Sequence, residues 1–243
     1  MKLLAFDTST DQQFIAVQHG DEVRSFQGPG SAQSSPTLIP TIHRLMTEVG
    51  LSFDALDAIV FGRGPGSFTG LRTACSVAQG LAFAARQGLG VPVLPVDTLL
   101  AVAEEARHTH GCTLVTAVLD ARMDEVYAAT FRWQGEAPSG LAPWDAPADF
   151  ELLHPEQVLP PGGAVVAGNA QPAYGERLAP HAQHVPALPT ATALLRLAPA
   201  LLAAGQGVAA ANALPRYIRD KVAQTTAERA AAKAAALATG STP

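Results

Sequence analysis

Two stretches of this 243-residue chain share one design, and that repeat constrains the fold more than any other feature. LAFDTSTDQQFIAV, from Leu4, and AVLDARMDEVYAAT, from Ala117, each run a hydrophobic strand into an aspartate. Each then places a second aspartate four residues on and an aromatic ring three beyond that, so Asp7, Asp11 and Phe14 correspond to Asp120, Asp124 and Tyr127. A pattern that begins again near residue 113 predicts two related lobes rather than one continuous sheet; the alternative is chance agreement over few positions. The length suits one large domain or two small lobes.

Residues 2–6, 14–18 and 23–26 read as strands joined by short polar turns that include Gly20 and Asp21. A helix follows over about 35–49, with Leu38, Ile39, Ile42, Leu45, Met46 and Val49 within roughly a 120° stripe. Ser34 or Ser35 can cap it and Gly50 stops it. Residues 58–61 form a strand, a glycine-rich loop leads into a second helix over about 69–86, and 91–96 is another strand. Asp97 caps a third helix to about residue 107. The second unit opens with strands at 114–119 and 125–131. Residues 135–161, rich in Pro, Ala and Gly, read as irregular; 164–167 reads as a strand and 191–204 as a helix. The expected organisation is a first lobe over 1–110, a smaller lobe over 111–220, and an Ala-rich tail over 221–243, either a frayed helix or a disordered end.

The stretch Gly62-Arg-Gly-Pro-Gly-Ser-Phe-Thr-Gly-Leu-Arg72 lies between a strand and a helix. Its glycines permit positive φ and close approach, and the helix start behind them favours an anion. Two readings stand: a phosphate or nucleotide site formed by Gly64, Gly66 and Ser67 with Asp7, Thr8 and Ser9, or a tight structural turn. The sequence lacks the Gly-Lys-Ser/Thr ending of a Walker loop, and counting from Gly64 puts the third glycine of G-x-G-x-x-G on Thr69. Asp7 and Asp11 suit either a phosphate-bound metal or a strand-end turn and a solvated carboxylate. On the following helix Arg72, Gln79 and Arg86 share a narrow polar strip, and most of the remainder is apolar or small. Such a helix must be covered on two sides, by its own sheet and by another helix or another subunit; Ala74, Ala78, Ala82 and Ala85 permit close approach.

The 21 acidic side chains outnumber the 16 basic ones, and no stretch gathers Lys and Arg, which argues against tight autonomous nucleic-acid binding. Cys75 and Cys112 lack metal-site or disulfide-framework spacing and read as small buried hydrophobes of a reducing compartment. None of the seven histidines forms H-x-x-x-H, and Ser67 sits outside any nucleophile elbow, so catalysis by this chain alone is unsupported. The N-terminus is too short in apolar residues for a signal peptide, and the 191–204 run, interrupted by Arg196 and Pro199, is too short to span a bilayer.

FDTST, GRGPGSFTGLR, AQGLA, PVLPVDTL and LDARMDEVYAA occur here in the same order as in the TsaB (YeaZ) family, and PRYIRD resembles that family's final segment. The likeness covers most of 1–132 and is patchy to about 215–220. It implies a two-lobed actin/Hsp70-like (ASKHA) α/β fold, each lobe a mixed sheet flanked by helices. It also implies a subunit interface on the two long first-lobe helices, with Leu38, Ile42, Leu45, Arg72, Ala74, Ala78 and Gln79 as candidate contacts. The function it implies is that of a cytoplasmic, non-catalytic scaffold and activator in the synthesis of N6-threonylcarbamoyladenosine beside the anticodon of tRNA. The chain would pair with a TsaD-like catalytic subunit, receive a TsaE-like ATPase on that pair, and form a homodimer without its partner. ATP and metal would belong to the partners, this chain needing no cofactor and meeting tRNA only through the complex. Ser34-Ser35 departs from the His-Ser/Thr that many members carry there. The alternatives are a stand-alone metallopeptidase, which lacks its ligand pair, and a small-molecule kinase, which lacks a second phosphate loop.

Overall fold

Alternate residues of β1 (Lys2–Asp7) enter different cores: Leu3 and Ala5 pack on one side, Leu4 and Phe6 on the other. That period-2 division is what a strand buried on both faces requires. The computed structural model describes residues 1–30, 34–135 and 143–219. β1 pairs antiparallel with β2 (Gln12–His19), which pairs antiparallel with β3 (Glu22–Pro29). On its other side β1 runs parallel to β4 (Ala58–Gly64), which runs parallel to β5 (Val93–Asp97). The order is β3-β2-β1-β4-β5. Between these strands lie α1 (Ser34–Glu48) and α2 (Phe68–Ala84), packed on the face that carries Leu4, Phe6, Ile59 and Phe61. Gly50, at φ 65°, follows the end of α1, and α3 (Thr98–His110) closes at left-handed Gly111.

The second sheet repeats this plan. β6 (Leu114–Arg122) and β7 (Glu125–Trp133) form its hairpin, followed by β8 (Trp144–Asp145), β9 (Glu151–Leu153), β10 (Val165–Gly168) and β11 (Gln183–Pro186). Its order, read from β8, is β8-β7-β6-β10-β11, with β9 also on β7. The β6–β7 pair is antiparallel and β6–β10–β11 are parallel, matching the first lobe strand for strand. The hairpins differ by one residue in register: Asp7 faces Phe14, but Tyr127 faces Leu119, because a bulge separates Asp120 from Arg122. In α1's place stands a loop with the short Pro155–Gln157 turn, and in α2's the four-residue α4 (Gln171–Tyr174).

α3 touches both sheets, and α5 (Ala191–Ala203) lies against α3 and across β1, β2, β4 and β5. One core therefore takes Leu3, Phe14 and Val60 from the first sheet, Ala117, Tyr127 and Phe131 from the second, and Leu99, Leu194 and Leu197 from the helices between. Inside it Glu104, 2% exposed, accepts hydrogen bonds from Arg107, Arg196 and the Trp144 indole. Burial pushes the Glu104 carboxyl up, but those hydrogen bonds and the Arg107 charge outweigh it and hold it below the usual range.

Several expectations change. Helix α5 and residues 205–216 pack on the first lobe instead of staying with 111–190, because the apolar face of α5 covers the first sheet and Val208 bridges to Val93. β8 and β9 arise within the stretch expected to be irregular. α2 ends at Ala84, so Arg86 (φ 53°) lies beyond the helix and binds the Leu56 carbonyl at 2.7 Å; no strip of Arg72, Gln79 and Arg86 exists. Leu38, Ile42, Leu45, Ala74 and Ala78, expected at a subunit interface, are 0–1% exposed and face the lobe's own sheet. The Ala-rich tail lies outside the described residues.

Leu45→Asp or Ala78→Asp buries an unpaired carboxylate in this core and costs several kcal/mol. Both variants are expected to melt far below the parent or to be insoluble. A folded monomer melting like the parent would show that these positions are not core.

Candidate functional site

The site is built on the turn that ends β1. The Asp7 carboxylate is fully buried, and its Oδ1 accepts from the Ser9 amide at 2.7 Å and the Ser9 hydroxyl at 2.6 Å. The second aspartate repeats the device, as Asp120 Oδ1 accepts from the Arg122 amide at 2.8 Å. Burial pushes Asp7 up to about 6, against the hydrogen bonds from Ser9 and Thr98 that pull it down. The Thr8 hydroxyl donates to the Gly70 carbonyl at 2.7 Å.

The glycine-rich loop closes on this turn. A Cβ on Gly62 would stand 1.7 Å from Asp7 Oδ2, on Gly66 2.5 Å from the Ser9 carbonyl, and on Gly70 1.8 Å from the Thr8 carbonyl. The Ser67 amide donates to the Ser9 carbonyl at 2.7 Å, while the Ser67 hydroxyl caps α2 through the Gly70 amide at 3.5 Å. Gly66 and Gly70 hold backbone against backbone, and Gly62 leaves room for the Asp7 carboxylate. Gly64, at φ 119°, is needed for another approach, to the Arg216 carbonyl. Arg63 pairs with Asp97 through Nε at 2.6 Å and Nη2 at 2.9 Å, and Arg216 approaches the same carboxylate at 3.4 Å. Asp97 precedes α3 as expected, yet makes no side-chain cap because the arginines take its oxygens.

Residues 205–219 form a strap along the first lobe. The Cys75 thiol and the Gln79 amide both donate to the Ala213 carbonyl, at 3.0 and 2.9 Å, and the Arg216 amide donates to the Arg63 carbonyl at 2.7 Å. The strap then crosses to the second lobe, where Arg219 pairs with Glu125. Between the lobes it borders a cleft of about 420 Å³ lined by Ser9, Asp11, Gly66, Ser67, Asp120, Asn169 and Tyr217 among others. Of the six residues expected to form an anion site, Ser9, Gly66 and Ser67 line this cleft; Asp7, Thr8 and Gly64 do not. The cleft arginines Arg122, Arg216 and Arg219 are paired with Asp120, Asp97 and Glu125. Among the described residues no three His, Cys, Asp or Glu side chains come together as a metal-binding group.

A second surface lies outside the cleft, on the outward face of α2. Thr69, Arg72, Ser76, Gly80 and Phe83 are spaced three or four apart along it, and Phe83 is 72% exposed. Ile39 of α1 is 43% exposed. The Arg72 guanidinium lies 3.8 Å over the Phe68 ring, and its Nε donates to the Tyr217 hydroxyl at 3.2 Å. Of the expected interface residues, only Arg72 belongs to this face. Gln79 turns to the strap instead. The spacing Arg72–Ser76–Gly80 was the available signal, masked by the stronger alanine stripe of the same helix.

A duplicated five-strand plan with a cleft between its halves defines a two-lobed α/β protein of the actin/Hsp70-like class. Residues 29–240 match the family of TsaD, tRNA N6-adenosine threonylcarbamoyltransferase. The tRNA threonylcarbamoyladenosine biosynthesis protein TsaB of Escherichia coli (strain K12) is 32% identical, covering 92% of this chain and 96% of the relative. Its Haemophilus influenzae counterpart is 32% identical over 91% and 95%. The structure of YeaZ from Pseudomonas aeruginosa superposes with a TM-score of 0.79 at 37% identity, covering 89% of this chain and 99% of that one. The chain belongs to this family, as one of its TsaB (YeaZ) members. No helix among the described residues is long and apolar enough to cross a membrane.

Two glycines of α2 separate close packing from helix propensity. Gly70→Ala forces backbone apart and is expected to lower the melting temperature sharply, whereas Gly80→Ala, with nothing within 4 Å, should stabilise the isolated chain by about 0.5–1 kcal/mol. Equal effects would refute the packing role of Gly70. Asp7 titrates near 6 folded and near the ordinary carboxylate value of 3.8 unfolded, so its stabilising contribution is full below the lower value and fades as pH rises through the upper one. Asp7→Asn keeps an acceptor for Ser9 and removes that dependence. Denaturant titrations should find the variant more stable at pH 7.5 by up to about 3 kcal/mol, the advantage vanishing near pH 4. A parent whose stability stays level between those values would refute the shift.

Proposed function

We propose that this chain is a non-catalytic subunit in the formation of N6-threonylcarbamoyladenosine beside the anticodon of tRNA. It pairs with a TsaD-like catalytic subunit and holds it in its active arrangement, a shift of population rather than bond chemistry. A TsaE-like ATPase docks on the pair, ATP and metal act in the partners, tRNA is met through the assembly, and the chain self-associates when its partner is absent. The observation that carries this reading is the outward face of α2, where small side chains lead to a Phe83 that the lobe leaves 72% exposed. An apolar ring at that exposure beside close-packing small residues suits a surface buried by another subunit. The names of the relatives supply the pathway, and the paired cleft arginines support a role outside phosphate chemistry.

The test is an omission assay: unmodified tRNA, threonine, bicarbonate, ATP and purified partners are incubated with and without this chain, and the modified nucleoside is counted by mass spectrometry. Product is expected only when the chain is present, with none from the chain alone. Equal product without it would overturn the reading. Phe83→Asp, at an exposed position, should leave the melting temperature near the parent's while weakening partner binding in calorimetry and reducing product.

A further inference from the structure

Resting on the pairing proposed above, we infer that Arg72 is a specificity residue: it requires a carboxylate on the partner subunit and disfavours pairing of this chain with itself. Arg72 lies on the outward face of α2 in line with Ser76, Gly80 and Phe83. Among the described residues nine arginines sit in ion pairs, but Arg72 has no carboxylate within ion-pair distance. Its guanidinium is nevertheless held, by the Phe68 ring 3.8 Å below it and by the bond from Nε to Tyr217. Neither Nη nitrogen has a hydrogen-bond partner among the described residues, so the fork that can take a carboxylate in two parallel bonds is unused. A side chain so held loses little freedom on docking.

Closing a subunit over an unpaired guanidinium strands a charge away from water, so the occupant of this face must bring an acid. A second copy does not supply one readily. Helices α1 and α2 together carry a single carboxylate, Glu48, and it is already held by Arg44 at 2.6 Å. A second copy seated through the same helices therefore offers Arg72 no free carboxylate from α1 or α2. An acidic partner completes the face, whereas a second copy leaves Arg72 uncompensated and pairs more weakly, the arrangement by which charged interfaces select one pairing over another.

The experiment compares Arg72→Gln, Arg72→Lys and Phe83→Asp in two measurements, self-association by sedimentation and affinity for the purified catalytic partner by calorimetry. Arg72→Gln is expected to weaken partner binding by about 30-fold or more while tightening self-association. Arg72→Lys keeps the charge without the fork and should fall between, with a loss of affinity that steepens with salt. If Arg72→Gln leaves self-association unchanged or weakens it, or leaves partner binding unchanged while Phe83→Asp abolishes it, the specificity role is overturned and the helix-face reading survives. If Phe83→Asp also leaves partner binding unchanged, the docking face itself is wrong and both readings fall.

Discussion

Everything distinctive about this fold depends on one contact in which backbone meets backbone. The turn Asp7-Thr8-Ser9 lies so close to the loop from β4 into α2 that Gly62, Gly66 and Gly70 have no room for a methyl group. That approach lets the Ser67 amide and the Gly70 carbonyl exchange hydrogen bonds with Ser9 and Thr8, fixing where α2 begins and how it crosses the sheet. It also seals Asp7 from water. A buried carboxylate that receives three hydrogen bonds but no cation is expensive to keep ionised, and its displaced titration is the measure of that cost. At Gly66 and Gly70 the loop is packed on the protein's own main chain, while Gly66 and Ser67 also border the cleft between the lobes.

From that anchor the molecule extends by duplication with unequal outcome. Both sheets share one strand order and both hairpins hold an aspartate that accepts from the amide two residues on, yet the two long helices survive only in the first lobe. Their inward stripes fill the lobe's core, and the outward face of α2 is left to other chemistry. Arg63, Asp97 and Arg216 then tie the glycine loop, the start of α3 and the strap into one charge cluster.

The lobes and strand units were legible because they rest on local signals: alternation along β1 and β6, an aspartate at each strand end, and Gly50 after α1. The burial stripe of α1 was legible too, since Leu38, Ile42 and Leu45 follow the helical period. What such patterns do not reveal is what covers an apolar face. Ala74 and Ala78 fit a partner's helix as well as the lobe's own sheet, and only the fold places them inward. Arg86 was misplaced because no local breaker marks the helix end at Ala84; the chain turns there to meet Asp54 and Leu56. The strap escaped for the same reason. Its hydrogen bonds span more than a hundred residues and leave no periodic trace, while the glycines read as a binding loop because close packing and anion binding call for the same residue.

The position of α5 bears on how the chain is made. The first sheet is complete once β5 has been synthesised, but the helix that covers its inner face is encoded at 191–203 and the strap across α2 at 205–219. On a ribosome that sheet must wait, half covered, while the entire second lobe emerges. The earliest part of the protein to form is therefore among the last to be closed, and this interval is when β1, β2 and β4 are most open to wrong pairings or to a chaperone.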